Sequence, residues 1–266
     1  MEELRKHFIT TERPYKEGTV EVFKQEIKAK DIKKAVLYIT ALGIYDVCVD
    51  DKQVTKELFK PGFTYYPLHL QYDCFDITSL LKEESILKVE LAQGWYCGRF
   101  TFDNNVQIYG ERPAVSWVLE IEDNQGIHSY YSDDKDVKAV SSPYIYAGFY
   151  DGEIYDEKGN GEEIYQPVPF KGNIPLNIEP SIIHVSAHEE VKIKEVIVKD
   201  DVTIIDFGQN FAGFIEIDPK YMDGEKLKLR HGELLNSDGS LYTTNLRKAK
   251  AEIVYTKVHS MFHFPS

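Results

Sequence analysis

The sequence has little cysteine and no pattern for using it. Cys48, Cys74 and Cys97 make an odd number, and no two stand at C-x-x-C spacing. That argues against a disulfide framework or a zinc site and fits free thiols in a reducing compartment. Long apolar runs are also missing. No segment approaches the ~20 residues that a membrane-spanning helix needs. The stretch from Met1 to Val20 carries charges throughout and no apolar core, so no secretory leader is expected there. A cytoplasmic location is the expectation. Basic charge is scarce: 31 Lys and Arg face 44 Asp and Glu, for a formal net charge of −13. Such a field repels phosphate backbones and anionic lipid, which leaves neither nucleic acid nor a membrane as an expected partner. A neutral sugar is indifferent to it. Helical periodicity is absent as well, with no amphipathic segment beyond about ten residues and no internal repeat.

What the chain has is strands and tyrosine. Its 266 residues allow one large β domain or two ordinary ones, and 18 Tyr with 14 Phe suit pleated surfaces and polar binding faces. Residues 1–18 look like a loose lead-in. From Val20 the period is two, through Phe23-x-Gln25-x-Ile27, then Val36 to Thr40 and Ile44 to Val49, with a polar turn at Asp50 to Lys52. Gln71 to Phe75 continues the pattern, and Asp76 to Leu81 reads as one helical turn opened by an Asp cap. Ile86 to Leu91 alternates again. Ala114 to Ile121 turns at Asp123 to Gly126 into Ile127 to Tyr131, a hairpin. Val137 to Val140 reads as a short edge strand. Residues 157–187 are rich in Pro, Gly and Asn. Pro167, Pro169, Pro175 and Pro180 should interrupt regular pairing, which makes this the best domain boundary. Beyond it, Val191 to Val198, Val202 to Asp206, Phe214 to Ile217, Lys226 to Arg230 and Glu252 to Tyr255 read as further strands. Many short strands punctuated by turns imply an all-β fold of sandwiches or jelly rolls.

Candidate chemistry is thin. Glycoside cleavage asks for two carboxyl groups across the scissile bond. The cluster Asp151, Glu153, Asp156 and Glu157 has no neighbouring feature that would drive two pKa values apart, and a solvated loop explains it. Trp95 and Tyr96, bracketed by Gly94 and Gly98, are amphipathic rings that could stack on the C–H face of a sugar; a core ring beside a tight turn explains them equally well. Asp103 and Asn104, followed by Asn105, offer side-chain oxygens for calcium or for sugar hydroxyls, or form an ordinary Asx turn. Tyr150 and Asp151 stand in a second Tyr/acid cluster. Asp206-Phe207-Gly208 matches a kinase magnesium motif without any of its companions. His231-x-Glu233 lacks a third metal ligand.

Taken in order, several segments resemble the N-terminal part of the bacterial α-L-rhamnosidases. They are Ala41 to Asp46, Pro61-Gly62-Phe63-Thr64-x-Tyr66, Gln71-Tyr72-x-x-Phe75-Asp76-Ile77-Thr78, Gly94-Trp95-Tyr96-x-Gly98-Arg99, Tyr109 to Ala114 and Tyr150-Asp151-Gly152-Glu153-x-Tyr155-Asp156. A second block, Asp206 to Gly213, Arg230 to Leu235 and Leu241 to Ala249, resembles the concanavalin-like β domain that follows in that family. The resemblance implies two β-sandwich domains, 1–186 and 187–266, the second incomplete. It also implies that the family's catalytic acids lie on a helical toroid which this sequence does not include. No catalytic residue is carried over. The expected role is a non-catalytic, sugar-binding or structural accessory part of an enzyme that removes terminal rhamnose. The alternatives are a free-standing carbohydrate-binding module or a protein-interaction β domain. Because the N-terminal sandwich of some relatives is similar to rhamnose-binding modules that use calcium, the resemblance implies a sugar site at Trp95, Tyr96, Asp103, Asn104, Tyr150 and Asp151, with Asp103 and Asn104 as calcium ligands. No cofactor is otherwise required. Expected partners are rhamnose-containing glycosides and either a separate catalytic domain or a second copy of the chain.

Overall fold

The computed structural model describes residues 2–101, 103–156, 163–217, 226–256 and 262–263. The chain opens on a short helix, α1 (Glu2–Lys6). Strands β1 (Ile9–Thr11), β2 (Glu21–Lys28), β3 (Lys34–Leu42), β4 (Ile44–Val49), β5 (Lys52–Gln53), β6 (His69–Asp76) and β7 (Glu84–Ala92) follow. A single helical turn, α2 (Gly94–Cys97), precedes β8 (Ala114–Glu122), β9 (Ile127–Tyr131), β10 (Lys138–Ser141), β11 (Tyr144–Gly148) and β12 (Gly152–Asp156). Then come β13 (Ile164–Tyr165), β14 (Pro167–Pro169), β15 (Asn177–Pro180), β16 (Glu195–Lys199), β17 (Val202–Asp206), β18 (Glu216–Ile217), β19 (Lys226–Arg230), β20 (Glu252–Thr256) and β21 (Phe262–His263). The protein is all-β, as its pattern implies.

Two sheets make the main sandwich. One runs β14-β1-β8-β3-β6-β15, with β9 also on β8; the other runs β13-β10-β2-β7-β4-β5. Alternation along each strand decides what lies between them. Ala35, Leu37, Ile39 and Ala41 from β3 and Val115, Trp117, Leu119 and Ile121 from β8 meet Phe23, Ile27, Leu87, Val89, Leu91 and Val47 from the facing sheet, all buried. Burying each large aliphatic or aromatic side chain contributes about 1.5–3 kcal/mol. The indole N–H of Trp117 donates to Gln25 Oε1 at 2.8 Å, so both of these buried polar groups have a partner. A second cluster at one end of the sandwich gathers Phe8, Leu42, Tyr66, Leu70, Tyr96 and Ile178.

Three expectations need correction. Residues 1–18 are not a loose lead-in: Leu4, Phe8 and Ile9 are buried, and β1 pairs with β8 and β14. Three apolar anchors suffice to dock the segment but are too few to show a period. The proline-rich stretch does form strands. Pro167 and Pro169 bound β14, Pro180 ends β15, and these are the two outermost strands of their sheet, where a missing N–H costs no ladder bond. Nor is β10 an outer strand, because β13 covers it over two residue pairs. The Asp76 turn forms as expected, with Asp76 Oδ1 accepting from the Thr78 N–H at 3.0 Å.

A third sheet runs β11-β12-β20-β19. It takes two strands from before residue 186 and two from after it, and β12 lies parallel to β20, Glu153 opposite Ile253. Gly152 makes this approach possible. It has φ +85°, and an added Cβ would overlap the Glu252 carbonyl oxygen. Tyr155, Ile253 and Tyr255 fill a small core beneath this sheet.

One ion pair is fully inside the sandwich. Lys60 Nζ lies 2.8 Å from Asp73 Oδ1, with both side chains 3% exposed, and Lys60 also pairs with Glu57. The Tyr45 hydroxyl donates to Asp73 Oδ2 at 2.6 Å. Burial pulls the Lys60 pKa down, but Asp73 and Glu57 outweigh it and hold the ammonium above its usual value. Removing one member strands the other. Asp73→Ala should therefore lower unfolding free energy by about 3–5 kcal/mol in urea titrations, while the paired change Lys60→Met with Asp73→Leu should cost less than the single one. Equal losses in the two proteins would refute this account.

Candidate functional site

The site begins where β7 ends. Gln93, 2% exposed, precedes α2, and its side-chain amide ties three segments. Oε1 accepts from the Tyr15 hydroxyl at 2.8 Å and the Gly18 N–H at 3.0 Å, and Nε2 donates to the Ala147 carbonyl at 3.1 Å. This clamp sets α2 against the β11–β12 hairpin. Two bridges then join the same two stretches, 95–99 and 149–151. The first is aromatic: the Trp95 and Phe149 rings lie 4.5 Å apart at 36°, with Phe59 and Phe63 about 6 Å from Trp95. Phe149 and Phe63 are exposed at 38% and 46%, so the cluster presents ring surface to solvent.

The second bridge is polar and centres on Asp151, whose side chain is 8% exposed. Arg99 reaches its Oδ2 at 3.1 Å and also pairs with Glu17 at 3.1 Å. The Tyr146 hydroxyl donates to Oδ2 at 3.1 Å, and Lys250 approaches Oδ1 at 3.3 Å. Burial works against the Arg99 charge, yet Asp151 and Glu17 hold its pKa above the ordinary value. Burial first, then Asp151, raises the Tyr146 phenol. Beside this group is a cavity of about 230 Å³ lined by Arg99, Tyr146, Asp151, Glu153, Lys250 and Glu252, with Ile154 and Val254 as its apolar wall. Glu153 Oε2 and Asp151 Oδ1 are inaccessible there and have no aligned hydrogen-bond donor. Desolvation pushes the Glu153 carboxyl up to about 7. Asp151 and Glu153 come from one three-residue stretch, side by side. A hydrolytic pair instead straddles the bond.

The structure brings some of the sequence candidates together and separates others. Trp95 and Asp151 lie in the two parallel bridges, and the Tyr150 carbonyl accepts from the Lys250 N–H at 2.7 Å between them. Tyr96 is a correction: at 3% exposure its ring belongs to the core, against Tyr66, and offers no face to a ligand. Asp103 and Asn104 form a turn outside this group. Asn104, at φ 61°, donates its N–H to the Thr101 carbonyl at 3.2 Å, and Asp103 is exposed. Among the described residues no group of three or more His, Cys, Asp or Glu side chains gathers to hold a metal ion. Reading the sequence missed Gln93, Phe149, Tyr146 and Lys250. Arg99 lay within a quoted motif; Lys250, a hundred residues from its partner, carried no signal.

The chain was compared with known proteins. The family model described as the α-L-rhamnosidase N-terminal domain matches residues 30–173, and that of the bacterial α-L-rhamnosidase concanavalin-like domain matches residues 197–258. An α-L-rhamnosidase of Streptomyces avermitilis is 32% identical, covering 85% of this chain and 23% of the relative. One from Formosa agariphila is 30% identical, covering 85% and 26%. Among solved structures, the native α-L-rhamnosidase of Aspergillus terreus superposes with a TM-score of 0.86 at 27% identity, over 97% of this chain and 32% of that one. The Streptomyces avermitilis α-L-rhamnosidase complexed with L-rhamnose gives 0.79 at 28%, over 92% and 25%. The chain thus spans about a quarter of the curated relatives it matches. With more than half its length inside the first of these models, it belongs to the α-L-rhamnosidase N-terminal domain family.

Proposed function

We propose that this chain is a non-catalytic accessory region of an α-L-rhamnosidase and that it holds a sugar unit of a rhamnose-containing glycoside beside Trp95. The observation that carries the reading is the pair of bridges: an exposed aromatic patch and a polar cavity built on the same two stretches of chain. A pyranose has the matching two-sided chemistry. Its C–H face suits Trp95 and Phe149, and its hydroxyls can accept from Arg99 and Lys250. A cavity of about 230 Å³ is below the ~300 Å³ where drug-sized sites begin, which favours one sugar ring. Cleavage is not part of the role. The acids present stand side by side, and Asp151 is already committed to Arg99, Tyr146 and Lys250.

The purified chain should leave an aryl α-L-rhamnoside intact. Hydrolysis that follows the protein through repurification would overturn the non-catalytic assignment. Calorimetric titration with L-rhamnose should show binding that Trp95→Ala weakens about tenfold or more, a loss of ~1.4 kcal/mol. Unchanged affinity in that variant would remove Trp95 from the site, and a requirement for Ca²⁺ would bring the Asp103–Asn104 loop into it. Glu153 supplies a third test. Its folded pKa of about 7 exceeds the ordinary 4.5, so ionising it opposes folding. The penalty is absent below 4.5, grows as pH rises to about 7, and is complete above that. Glu153→Gln should therefore stabilise the protein at pH 8, by on the order of 3 kcal/mol at most, and change little at pH 4.5. A gain of equal size at both pH values in thermal melts would contradict a buried, titrating carboxyl.

A further inference from the structure

A short seam ties the strands on either side of residue 186. β12 pairs with β20 in parallel over four residue pairs, from Glu153 opposite Ile253 to Asp156 opposite Thr256. Parallel pairing is slightly weaker per residue than antiparallel pairing, and four pairs make a small ladder. Side chains add to it on both sides of Glu153. The Tyr155 and Tyr255 rings stack at 5.3 Å and 20°, and Lys250 reaches Asp151 at 3.3 Å.

Glu153 is the misfit in this seam. Its Oε2 is inaccessible and has no donor, and among the described residues no cation pairs with its carboxyl. The cations of this corner each serve another acid: Arg99 holds Asp151 and Glu17, Lys250 holds Asp151, and Lys228 holds Glu252 at 2.7 Å. On β11, the residue opposite Glu153 is Ala147, which offers no charge. Tyr144 of β11 and Tyr255 of β20 are phenols that burial, and after it Glu153, push upward, and Glu90 of β7 adds to this at Tyr144. Tyr146 is already given to Asp151. A carboxylate at this place is therefore desolvated and uncompensated. Parting β20 from β12 removes the Lys250–Glu252 wall of the cavity and returns that carboxylate to water.

We propose that the β12–β20 seam is a pH-sensitive latch: protonated Glu153 lets it close, and ionised Glu153 lets β20 part from β12 while the main sandwich stays folded. The folded carboxyl titrates at about 7 against an ordinary 4.5. The latch is thus tightest below 4.5, loosens as pH rises, and is loosest above 7. The gap between those two values caps the change in the opening equilibrium at about 300-fold. The inference does not rest on the sugar reading, because it concerns strands with no ligand present.

Hydrogen–deuterium exchange on the 266-residue chain tests it, read as protection relative to the intrinsic exchange rate at each pH. At pH 8.5 the amides of β12 and β20 should be about tenfold or more less protected than those of β3 and β8. Glu153→Gln and Glu153→Met should each raise protection in β12 and β20 about tenfold or more at pH 8.5, and by no more than about twofold at pH 4.5. Equal protection of seam and sandwich in the parent at pH 8.5 overturns the proposal, since the strands would then part only when the whole molecule unfolds. So do variants that leave seam protection unchanged at pH 8.5, and so does a gain of the same size at both pH values.

Discussion

The pairing of β3 with β8 over nine residues, from Lys34 opposite Glu122 to Leu42 opposite Ala114, is the constraint on which the rest depends. It sits at the middle of the larger sheet and fixes which side chains meet the other sheet. Because alternation has a period of two, slipping β8 by one residue against β3 would send Trp117 and Leu119 outward while Leu37 and Ile39 stayed inside. The interior is therefore an all-or-none arrangement. Once it is set, β6 and β1 have only one way to attach, and the outer strands with their prolines can be added where few demands are left.

The polar features sit on this frame rather than inside it. Only Gln93 separates α2 from β7, a central strand of the second sheet, so the position of Trp95 and Arg99 is inherited from the sandwich. Gln93 then passes that position on to β11 through the Ala147 carbonyl. Lys60 and Asp73 do the same for the loop carrying Phe59 and Phe63, since the Lys60 carbonyl also accepts from the Tyr45 N–H at 2.8 Å. Three buried polar side chains thus locate an exposed aromatic patch to which none of them belongs. A desolvated amide or ion pair has few tolerated geometries, which is why it makes a good fixture.

Strands of the main sandwich were legible because each carries both signals, alternation and turn residues at its ends. β2, β3, β4 and β7 lie within a few residues of where their sequence puts them. The N-terminal segment was not legible: α1 and β1 contribute only Leu4, Phe8 and Ile9 to the interior, and no periodicity arises from three positions. Proline misled in β14 and β15 because its cost depends on which edge of a strand is free, a fact of topology that composition does not carry. Trp95 and Asp151 were legible as candidates, being unusual residues in glycine-rich surroundings. Tyr96 was not separable from Trp95 by sequence, since neighbouring rings on one helical turn point different ways. Lys250 and Glu252 owe their place to a parallel pairing between distant strands, for which the local sequence holds no sign.

That parallel pairing also bears on the order of events at the ribosome. β12 leaves it a hundred residues before its partner β20, and meanwhile the hairpin it forms with β11 has nothing to lean on along its other edge. The sandwich can close from the first part of the chain, with β13 to β15 sealing its margins soon afterwards. Asp151 waits longer. Until Lys250 and Glu252 have been synthesised, one wall of the cavity does not exist, so this corner is completed well after the sandwich.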